Sequence, residues 1–457
     1  MLKVEFENLG NIKKANIELG NLTIFAGANN SGKTYVNYIL YALLDKKYAL
    51  KSSLYDKYID EAKENGISKI NIIEFLDNNY SKLKSNLEKT FARSLDRFFS
   101  AEDGTFKNFK LTLFQDIEDI KSNILNSKIS NELRIGKNKV VFEATKEADD
   151  TVLTLVMQDT ALPNDVYMDF LSDTMFSLLF SELNKNSFLL PAERTGINLF
   201  YQELNTYRNS LINNLQKNKI NPLEVLKDMM VSKYPQPIAD YIEFLNNTSN
   251  LKKQKSPLKD LNDALRHKIV KGKYSINRDG SISFLPYKKY FQGNNFQAKI
   301  DLHLSSSTVK TFFSLEFYLE HMAQLGSYLI IDEPELNLHP DNQRNIARLI
   351  AQMVNRGVNV ILSTHSDYIV REFNNLIMLN NDFTQKKELL NKYGYSKDEL
   401  LNKEKVRAYL IDDGSVTPME VTSTEGIIAT TFDDVVNSLN ISSDDIYYSI
   451  LEENENE

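Results

Sequence analysis

Cysteine and tryptophan are both absent from the 457 residues of this chain. Without cysteine the protein can form no disulfide, offer no thiolate nucleophile and build no cysteine-ligated metal site. Long apolar runs are missing as well, because the run at 328–331 is far too short to cross a membrane. The first residues carry acidic side chains and lack the apolar segment of a signal peptide. We therefore expect a cytoplasmic protein with no membrane domain of its own.

A large excess of charge of either sign is also missing. The chain has 54 Lys and Arg residues against 62 Asp and Glu residues, a formal net charge of −8. This balance argues against a protein that coats nucleic acid along its whole surface, but a local basic groove would still allow DNA as a partner. Hydrophobic residues make up 42% and charged residues 25%, which is typical of globular proteins, and the length suffices for two or three domains.

Residues 27–34 match the phosphate-binding spacing G-x-x-x-x-G-K-[ST] without deviation. The two glycines allow a tight turn in which successive N–H groups point at phosphate oxygens. The lysine brings a positive charge to the β- and γ-phosphates, and the final threonine offers its hydroxyl to Mg²⁺. The sequence therefore predicts a nucleotide-binding loop made of Gly27, Ala28, Asn29, Asn30, Ser31, Gly32, Lys33 and Thr34.

The flanking residues agree with this prediction. Leu22–Phe25 is a short apolar run that favours a strand, and Tyr35–Leu44 contains neither Gly nor Pro, which favours a helix. A strand, a glycine-containing loop and a helix follow one another in every P-loop. The alternative, an ordinary glycine-containing surface turn, would not require these neighbours.

A second apolar strand, Tyr328–Ile331, runs directly into Asp332 and Glu333. In P-loop ATPases the first acid at such a strand end helps to hold Mg²⁺, and the second orients or deprotonates the attacking water. Taken alone, the two acids could simply mark where a core strand meets solvent. About thirty residues later another apolar strand ends in Ser363-Thr-His-Ser, as a crossover to a neighbouring parallel strand requires. Both strand ends should then meet the P-loop at one edge of a sheet.

Together, the P-loop, the run at 331–340 and Ser363–Ser366 resemble the ABC-type ATPase heads of the SMC/RecF group. Within that group they are most similar to the overcoming-lysogenisation-defect (OLD) ATPases and their bacterial relatives. The resemblance covers 1–45 and 300–380 well and the middle of the chain poorly. It implies an α/β P-loop NTPase fold, an ABC-type ATPase head with a mixed sheet and helical insertions.

The same resemblance implies the roles of individual residues, with ATP and Mg²⁺ as cofactors. Asp332 would be the acid that holds the metal together with Thr34, and Glu333 would be the catalytic base. His365 would be the switch histidine that contacts the γ-phosphate. The run Glu335–Pro340 would take the place of the D-loop at a dimer interface.

The family also uses a serine at a helix N-terminus to cap the γ-phosphate bound by the partner subunit. Ser305 and Ser306, which precede a predicted helix from Val309 to Leu325, are the candidates. Related ATPases usually have glycine where this chain has Ser307, and the difference bears on how tightly a dimer closes. A plain Ser/Thr helix cap remains the alternative.

Phe188–Gly196 is similar to a Pro-Ala-x-Arg segment of these ATPases. By position it could supply a strand and the equivalent of the Q-loop, with Glu193 or Arg194 near the γ-phosphate. The alternative is an ordinary strand end.

The chain between these motifs divides by its pattern. Residues 46 to about 128 are helical and highly charged in character, whereas 131–157 alternate as strands do. The predicted segments are an N-terminal part of the head (1–45), a mainly helical insertion with a β segment (46–185), a strand returning to the head (186–200), a second helical insertion (201–270), a C-terminal part of the head (271–380) and a C-terminal hairpin and helix (381–457).

These features predict Mg²⁺-dependent ATP hydrolysis by a homodimer or higher oligomer that shares composite ATP sites. The resemblance to antiphage ATPases implies a subunit that works with a separately encoded nuclease or toxin, since the tail after His365 is too short for a nuclease domain of the TOPRIM type. A DNA-repair or chromosome-maintenance ATPase of the RecF/SMC kind is one alternative. An ATP-binding scaffold with little turnover is another.

Overall fold

Nine strands form one mixed sheet at the centre of the protein, in the computed structural model. The structure describes residues 2–44, 52–136, 139–203, 234–277, 279–290, 299–428, 438 and 440–448. The strands are β1 (Lys3–Leu9), β2 (Ile12–Glu18), β3 (Leu22–Ala26), β4 (Ile67–Asn71), β5 (Lys110–Phe114), β6 (Ile129–Ile135), β7 (Lys139–Lys146), β8 (Val152–Met157), β9 (Ser187–Leu190), β10 (Gly272–Ile276), β11 (Ile282–Pro286), β12 (Ile300–Asp301), β13 (Tyr328–Asp332), β14 (Asn359–Thr364), β15 (Val406–Asp412), β16 (Ser415–Met419), β17 (Val421–Thr422) and β18 (Gly426–Ile427).

Helices surround this sheet and fill the insertions. The longer ones in the described residues are α1 (Lys33–Leu44), α2 (Asp56–Asn65), α3 (Ile72–Phe98), α4 (Ile117–Asn126), α5 (Asn164–Leu179), α6 (Gln236–Leu251), α7 (Ser307–Phe317), α8 (Pro340–Asn355), α9 (Asp367–Met378) and α10 (Lys386–Tyr393). Helix α1 packs on β9, β13 and β14, and α8 packs on β14 and α9.

The strand order of the central sheet is β5-β1-β2-β16-β15-β3-β14-β13-β9. From β15 to β9 every neighbouring pair is parallel, whereas β5, β1 and β2 pair antiparallel. Strands β3 and β13 are buried along their whole length, as expected for parallel strands covered on both faces. The predicted fold class is confirmed in its architecture, an α/β fold with a large mixed sheet and helical insertions.

Within the first insertion, 46–185, the structure differs from the purely helical reading of 46–128. Two strands, β4 and β5, lie in that stretch. Strand β4 joins β6, β7 and β8 in a separate four-stranded sheet, while β5 pairs with β1 at the edge of the central sheet. Both are five-residue strands next to helices, too short for their alternation to stand out from the helical pattern around them.

Helix α7 is shorter than the predicted span of Val309 to Leu325. It begins at Ser307, ends at Phe317 and continues as a π-helical turn, Tyr318–Met322. The amide of Ala323 closes that turn on the carbonyl of Tyr318 at 2.8 Å. Residues 323–325 have no helix breaker, so the sequence pattern alone could not show where the helix stops.

The predicted C-terminal hairpin exists, but it belongs to the central sheet. Strands β15 and β16 pair antiparallel, and β15 also pairs in parallel with β3. Residues 440–448 are helical, while the acidic end at 452–457 and residues 204–233 of the second insertion lie outside the described residues. No helix among the described residues is both long and apolar enough to cross a membrane.

Candidate functional site

Three parallel strands bring the predicted motifs to one edge of the sheet. Strand β3 leads into the P-loop, its neighbour β14 ends at Thr364, and β13 ends at Asp332. In the ladders Thr364 is opposite Ala26, and Asp332 is opposite Ser363. The sequence prediction that both strand ends meet the P-loop is therefore confirmed.

The P-loop wraps around the side chain of Lys33. Its ammonium group donates to the carbonyl oxygens of Gly27, at 3.0 Å, and Ala28, at 2.7 Å. Burial lowers the pKa of Lys33, although the carboxylates of Glu333 and Asp332 oppose that shift. The P-loop thus holds Lys33 in place, and the sequence predicts that the same loop binds the phosphates that Lys33 contacts.

Glycine is required at two positions of this loop. Gly32 has φ +107°, and a Cβ there would lie 2.6 Å from Oδ1 of Asn11. At Gly27 a Cβ would lie 2.5 Å from the carbonyl oxygen of Ile411. Both distances are below any normal contact, so a side chain at either position would distort the loop.

The loop has the properties expected of a phosphate site. Its Ser31 hydroxyl is buried and has no hydrogen-bond partner among the described residues. A buried polar group without a partner is rare in a folded protein and indicates a bound group. Helix α1 begins at Lys33, so its N-terminal amides face the same loop. The residues present therefore fit the phosphates of a nucleotide.

Asp332 is fully buried, and its carboxylate accepts three hydrogen bonds from the described residues. Oδ2 accepts from the Thr34 hydroxyl at 2.7 Å, and Oδ1 accepts from the Asn37 amide at 3.2 Å and from the Ser363 hydroxyl. Thr34 and Asp332 are the oxygen donors that Mg²⁺ prefers, and they touch. Among the described residues there is no group of three or more His, Asp or Glu side chains that could hold a metal ion.

Glu333 adopts an unusual backbone conformation, with φ +51° in the left-handed region. Its amide donates to the carbonyl oxygen of Ser363 at 3.1 Å. A non-glycine residue in this region carries strain of about 1–3 kcal/mol, and such residues concentrate at functional sites. The side chain remains partly exposed, and one carboxylate oxygen lies 3.6 Å from Nδ1 of His365.

Glu335 is a buried partner of the predicted switch histidine. One of its oxygens accepts from the Thr364 hydroxyl and from the His365 amide, both at 2.8 Å, and lies 3.2 Å from Nδ1 of His365. Burial raises the pKa of this carboxyl. The Glu335 side chain points into the protein, whereas Asn337 and His339 of the same run are exposed, so a D-loop role for Glu335–Pro340 stays a prediction.

Ser305 and Ser306 lie at the start of α7, as predicted. The Ser306 side chain caps the helix by accepting from the Val309 amide at 3.4 Å, and the Ser305 hydroxyl donates to the Leu302 carbonyl at 2.6 Å. Neither serine bonds to the P-loop, Asp332 or Glu333 in the described part of the chain. Beside them Leu304 is 68% exposed.

Glu193 and Arg194 occupy different environments. Partial burial raises the pKa of Glu193, and the charges of Asp332 and Glu333 add to the rise, which places its carboxyl near the acidic strand end. Arg194 is buried and its guanidinium binds the main chain of Asp332 and Glu333. Of the two residues predicted near the γ-phosphate, Arg194 is thus bound to main-chain carbonyls, whereas Glu193 is only partly buried beside the acidic strand end.

Sequence reasoning missed three site residues: Asn37, Ser363 and Glu335. Asn37 had a usable signal, because it is the one strongly polar residue in the apolar stretch Tyr35–Leu44. Ser363 lies inside a recognised motif but its partner becomes clear only when β14 is placed beside β13. Glu335 could not be separated from the exposed residues that follow it, since burial within a loop leaves no periodic pattern.

Solved structures similar to this chain include SMC head domains. The Smc head bound to the C-winged-helix domain of ScpA has 14% identity over 92% of this chain and 97% of that chain, with a TM-score of 0.32. The Smc head bound to the C-terminal domain of ScpA from Pyrococcus furiosus has 13% identity, with coverage of 96% and 98% and a TM-score of 0.31. The SMC head of Thermotoga maritima has 10% identity, with coverage of 92% and 99% and a TM-score of 0.31.

No curated protein matches the chain significantly in sequence. Residues 1–370 match the AAA_15 model, described as an AAA ATPase domain, and this span contains the P-loop, the acids that follow β13 and the histidine that follows β14. The chain belongs to this AAA ATPase domain family.

Proposed function

We propose that the protein hydrolyses ATP in a Mg²⁺-dependent reaction at the edge formed by β3, β14 and β13. One observation carries the proposal: the hydroxyl of Thr34 lies 2.7 Å from the carboxylate of Asp332, although the two are 298 residues apart in sequence. Only the folded sheet brings these oxygen donors together beside the P-loop. An acid with a partly exposed side chain, Glu333, follows immediately.

Each residue of the site has a distinct role in this proposal. Lys33 and the loop amides bind the β- and γ-phosphates, and Thr34 and Asp332 hold the metal. Bound Mg²⁺ would neutralise charge that develops on the transferred phosphoryl group. The hydrogen bonds from Asn37 and Ser363 fix the orientation of Asp332 and leave it no freedom to turn away.

Glu333 acts as the base that takes a proton from the attacking water. Its left-handed backbone turns the chain sharply at the strand end, so that the side chain does not continue the alternation of β13. Nδ1 of His365 lies 3.6 Å from a carboxylate oxygen of Glu333 and 3.2 Å from a carboxylate oxygen of Glu335. The histidine would then face the γ-phosphate, the position expected of a switch residue.

The test of this proposal is Glu333→Gln. The amide keeps the shape of the side chain but cannot accept the proton, so ATP binding should persist while kcat falls by about 10²–10⁴-fold. Binding is measured by calorimetry and turnover by phosphate release. Glu388→Gln, an exposed acid on α10, is the matched control and should behave like wild type. If Glu333→Gln hydrolysed ATP at the wild-type rate, the assignment of Glu333 as the base would be contradicted.

We further propose that two subunits sandwich ATP, each presenting Ser305 and Ser306 to the partner's P-loop. Two features support a shared site: these serines make no contact with their own P-loop among the described residues, and the adjacent Leu304 is exposed. Binding of ATP would close the dimer and hydrolysis would release it, which is the action of a switch.

For the cellular role we propose the ATPase subunit of a cytoplasmic antiphage defence system, acting with a separate nuclease or toxin. The support is the resemblance of the three motifs to OLD-type defence ATPases. Co-expression with the neighbouring genes should lower phage plating efficiency, and Lys33→Ala should restore it. Phage plating that is unaffected, together with increased sensitivity to DNA damage on gene deletion, would favour a RecF-like repair role.

A further inference from the structure

Arg194 is the largest fully buried side chain in the described part of the protein, with 2% exposure. One terminal nitrogen donates to the carbonyl oxygens of Pro191, at 2.9 Å, and Asp332, at 2.6 Å. The other donates to the carbonyl oxygen of Glu333 at 2.7 Å. Among the described residues, every acceptor of this guanidinium is thus a main-chain carbonyl, and two of them belong to the proposed metal ligand and base.

This burial is energetically expensive. A cation removed from water is normally compensated by a carboxylate that bonds to it directly, as Glu372 compensates buried Arg348 through Nε. Arg194 has carbonyl dipoles instead, and complete burial lowers its pKa although Tyr241 and Asp332 oppose the shift. A side chain that only filled space would stabilise the core better if it were apolar.

The Asp332 and Glu333 carbonyls that Arg194 binds lie past the end of the ladder between β13 and β9. Strand β13 pairs with β9 only as far as Ile331 opposite Leu190. Beyond that point the β9 chain turns away, and Glu333 enters the left-handed region. Buried carbonyls need partners, and the planar fork of an arginine can serve several of them in different directions.

We propose that Arg194 is a positioning residue that holds Glu333 in its left-handed conformation and so aims the base at the nucleotide. This inference rests on the proposed function, because it assumes that Glu333 is the base. Arg194 acts through the main chain of Asp332 and Glu333, to whose carbonyl oxygens it donates.

The segment after Arg194 is fixed to a second element. The hydroxyls of Thr195 and Thr311 lie 2.7 Å apart, and the side-chain amide of Asn198 donates to the main-chain carbonyl of Lys310 at 2.8 Å. Helix α7 therefore holds the backbone from which Arg194 projects. Because its backbone is fixed, the guanidinium of Arg194 can restrict the movement of the carbonyl groups that it binds. On a mobile loop it would move together with them.

The primary variant is Arg194→Lys. It keeps the positive charge, but a single ammonium group cannot reach carbonyls on two sides as the fork does. With the base misplaced, kcat should fall by roughly 10–10²-fold. KM and the calorimetric affinity for ATP should stay within about threefold, because Lys33 and the loop are untouched. Arg348→Lys, a buried arginine whose partners are Glu372 and Gly394, is the matched control for general destabilisation and should leave kcat unchanged.

A double-mutant cycle separates positioning from general damage. If Arg194 acts through Glu333, adding Arg194→Lys to Glu333→Gln should lower the remaining single-turnover rate by less than about twofold. An effect as large as in the wild-type background would overturn the inference. Hydrogen–deuterium exchange of 332–338 gives a second readout and should be faster in Arg194→Lys than in Arg348→Lys; equal exchange would also count against it.

The two levels of the proposal fail in different ways. If Glu333→Gln turns over ATP like wild type, the proposed base is wrong whatever Arg194 does. If Glu333→Gln is inactive while Arg194→Lys retains full kcat, only the positioning role of Arg194 is wrong.

Discussion

At the scale of single residues, the site depends on charges held in fixed positions. Lys33 donates to two loop carbonyls, and Asp332 accepts from three side chains. These contacts place the cation and the carboxylate before any ligand arrives. Preorganised charges need little rearrangement on binding, which increases what each contributes to affinity.

Lys33→Ala removes the one full positive charge of the P-loop. ATP binding should weaken by about 2–3 kcal/mol, the usual contribution of a charge-assisted hydrogen bond in a site shielded from water. Calorimetric titration measures the change. Lys128→Ala, on an exposed lysine paired with Glu147, is the control and should bind ATP normally. Equal affinity of the two variants would contradict the assignment of the loop.

The residues that sequence could predict are those whose chemistry is set by local spacing. Gly27, Gly32 and Lys33 belong to one short loop, so their roles follow from the motif. Asn37 and Arg194 act on a strand that is remote in sequence, and their roles appear only when β13 lies beside β9 and β14. The same distance explains why the sequence cannot show that Arg194, one of the two residues predicted near the γ-phosphate, binds the main chain of Asp332 and Glu333.

At the scale of elements, α7 links the two halves of the proposed shared site. Ser305 and Ser306 directly precede its first residue, and its first turns bond to the loop after β13: the Thr308 hydroxyl donates to the Asn337 carbonyl at 2.8 Å, and the Asn337 side-chain amide donates to the Thr311 hydroxyl at 3.0 Å. Strands and helices with long periodic patterns were predictable, whereas the short strands β4 and β5 were not, since their pairing partners lie far away in sequence.

Ser306→Arg tests the shared site. The bulky charge should block dimer engagement without weakening ATP binding to a single subunit. A mixture with Lys33→Ala would contain dimers with one intact composite site, because each variant damages a different half. Partial recovery of ATPase activity in the mixture is the expected result. Asp116→Arg, which removes the cap of α4 instead, is the control for loss of a helix cap.

No recovery in the mixture, with heterodimers demonstrated by native mass spectrometry, would contradict two independently working shared sites. Full activity of Ser306→Arg alone would place the serine outside any interface that matters for turnover.

At the scale of the whole molecule, the central sheet is assembled from both ends of the chain. Tyr409 on β15 accepts from the amide of Glu18 at 2.7 Å and donates to its carbonyl at 2.9 Å. Its ring stacks on Phe25 with a centroid distance of 5.5 Å, and Arg407 pairs with Glu18 at 2.8 Å. The residues after 370, beyond the family match, therefore complete the sheet that carries the P-loop.

Tyr409→Phe should lower the free energy of unfolding by about 1–3 kcal/mol, because both main-chain groups of Glu18 lose their partner. Denaturant titration measures the loss. Tyr393→Phe, at an exposed tyrosine on α10, should change it little. Equal stability of the two variants would mean that water replaces the Tyr409 hydroxyl without penalty.

The position of β15 also has a consequence for synthesis on the ribosome. Tyr409 on β15 lies 391 residues after Glu18, the residue whose main chain it binds. Strand β3 is synthesised long before β15, the strand that covers one of its edges. Until then that edge of β3 exposes unpaired backbone groups, which invite pairing with other chains. A nascent chain would complete the sheet beside its phosphate loop only after β15 is synthesised, so chaperone protection during elongation should matter more for this protein than for one whose neighbouring strands are also neighbours in sequence.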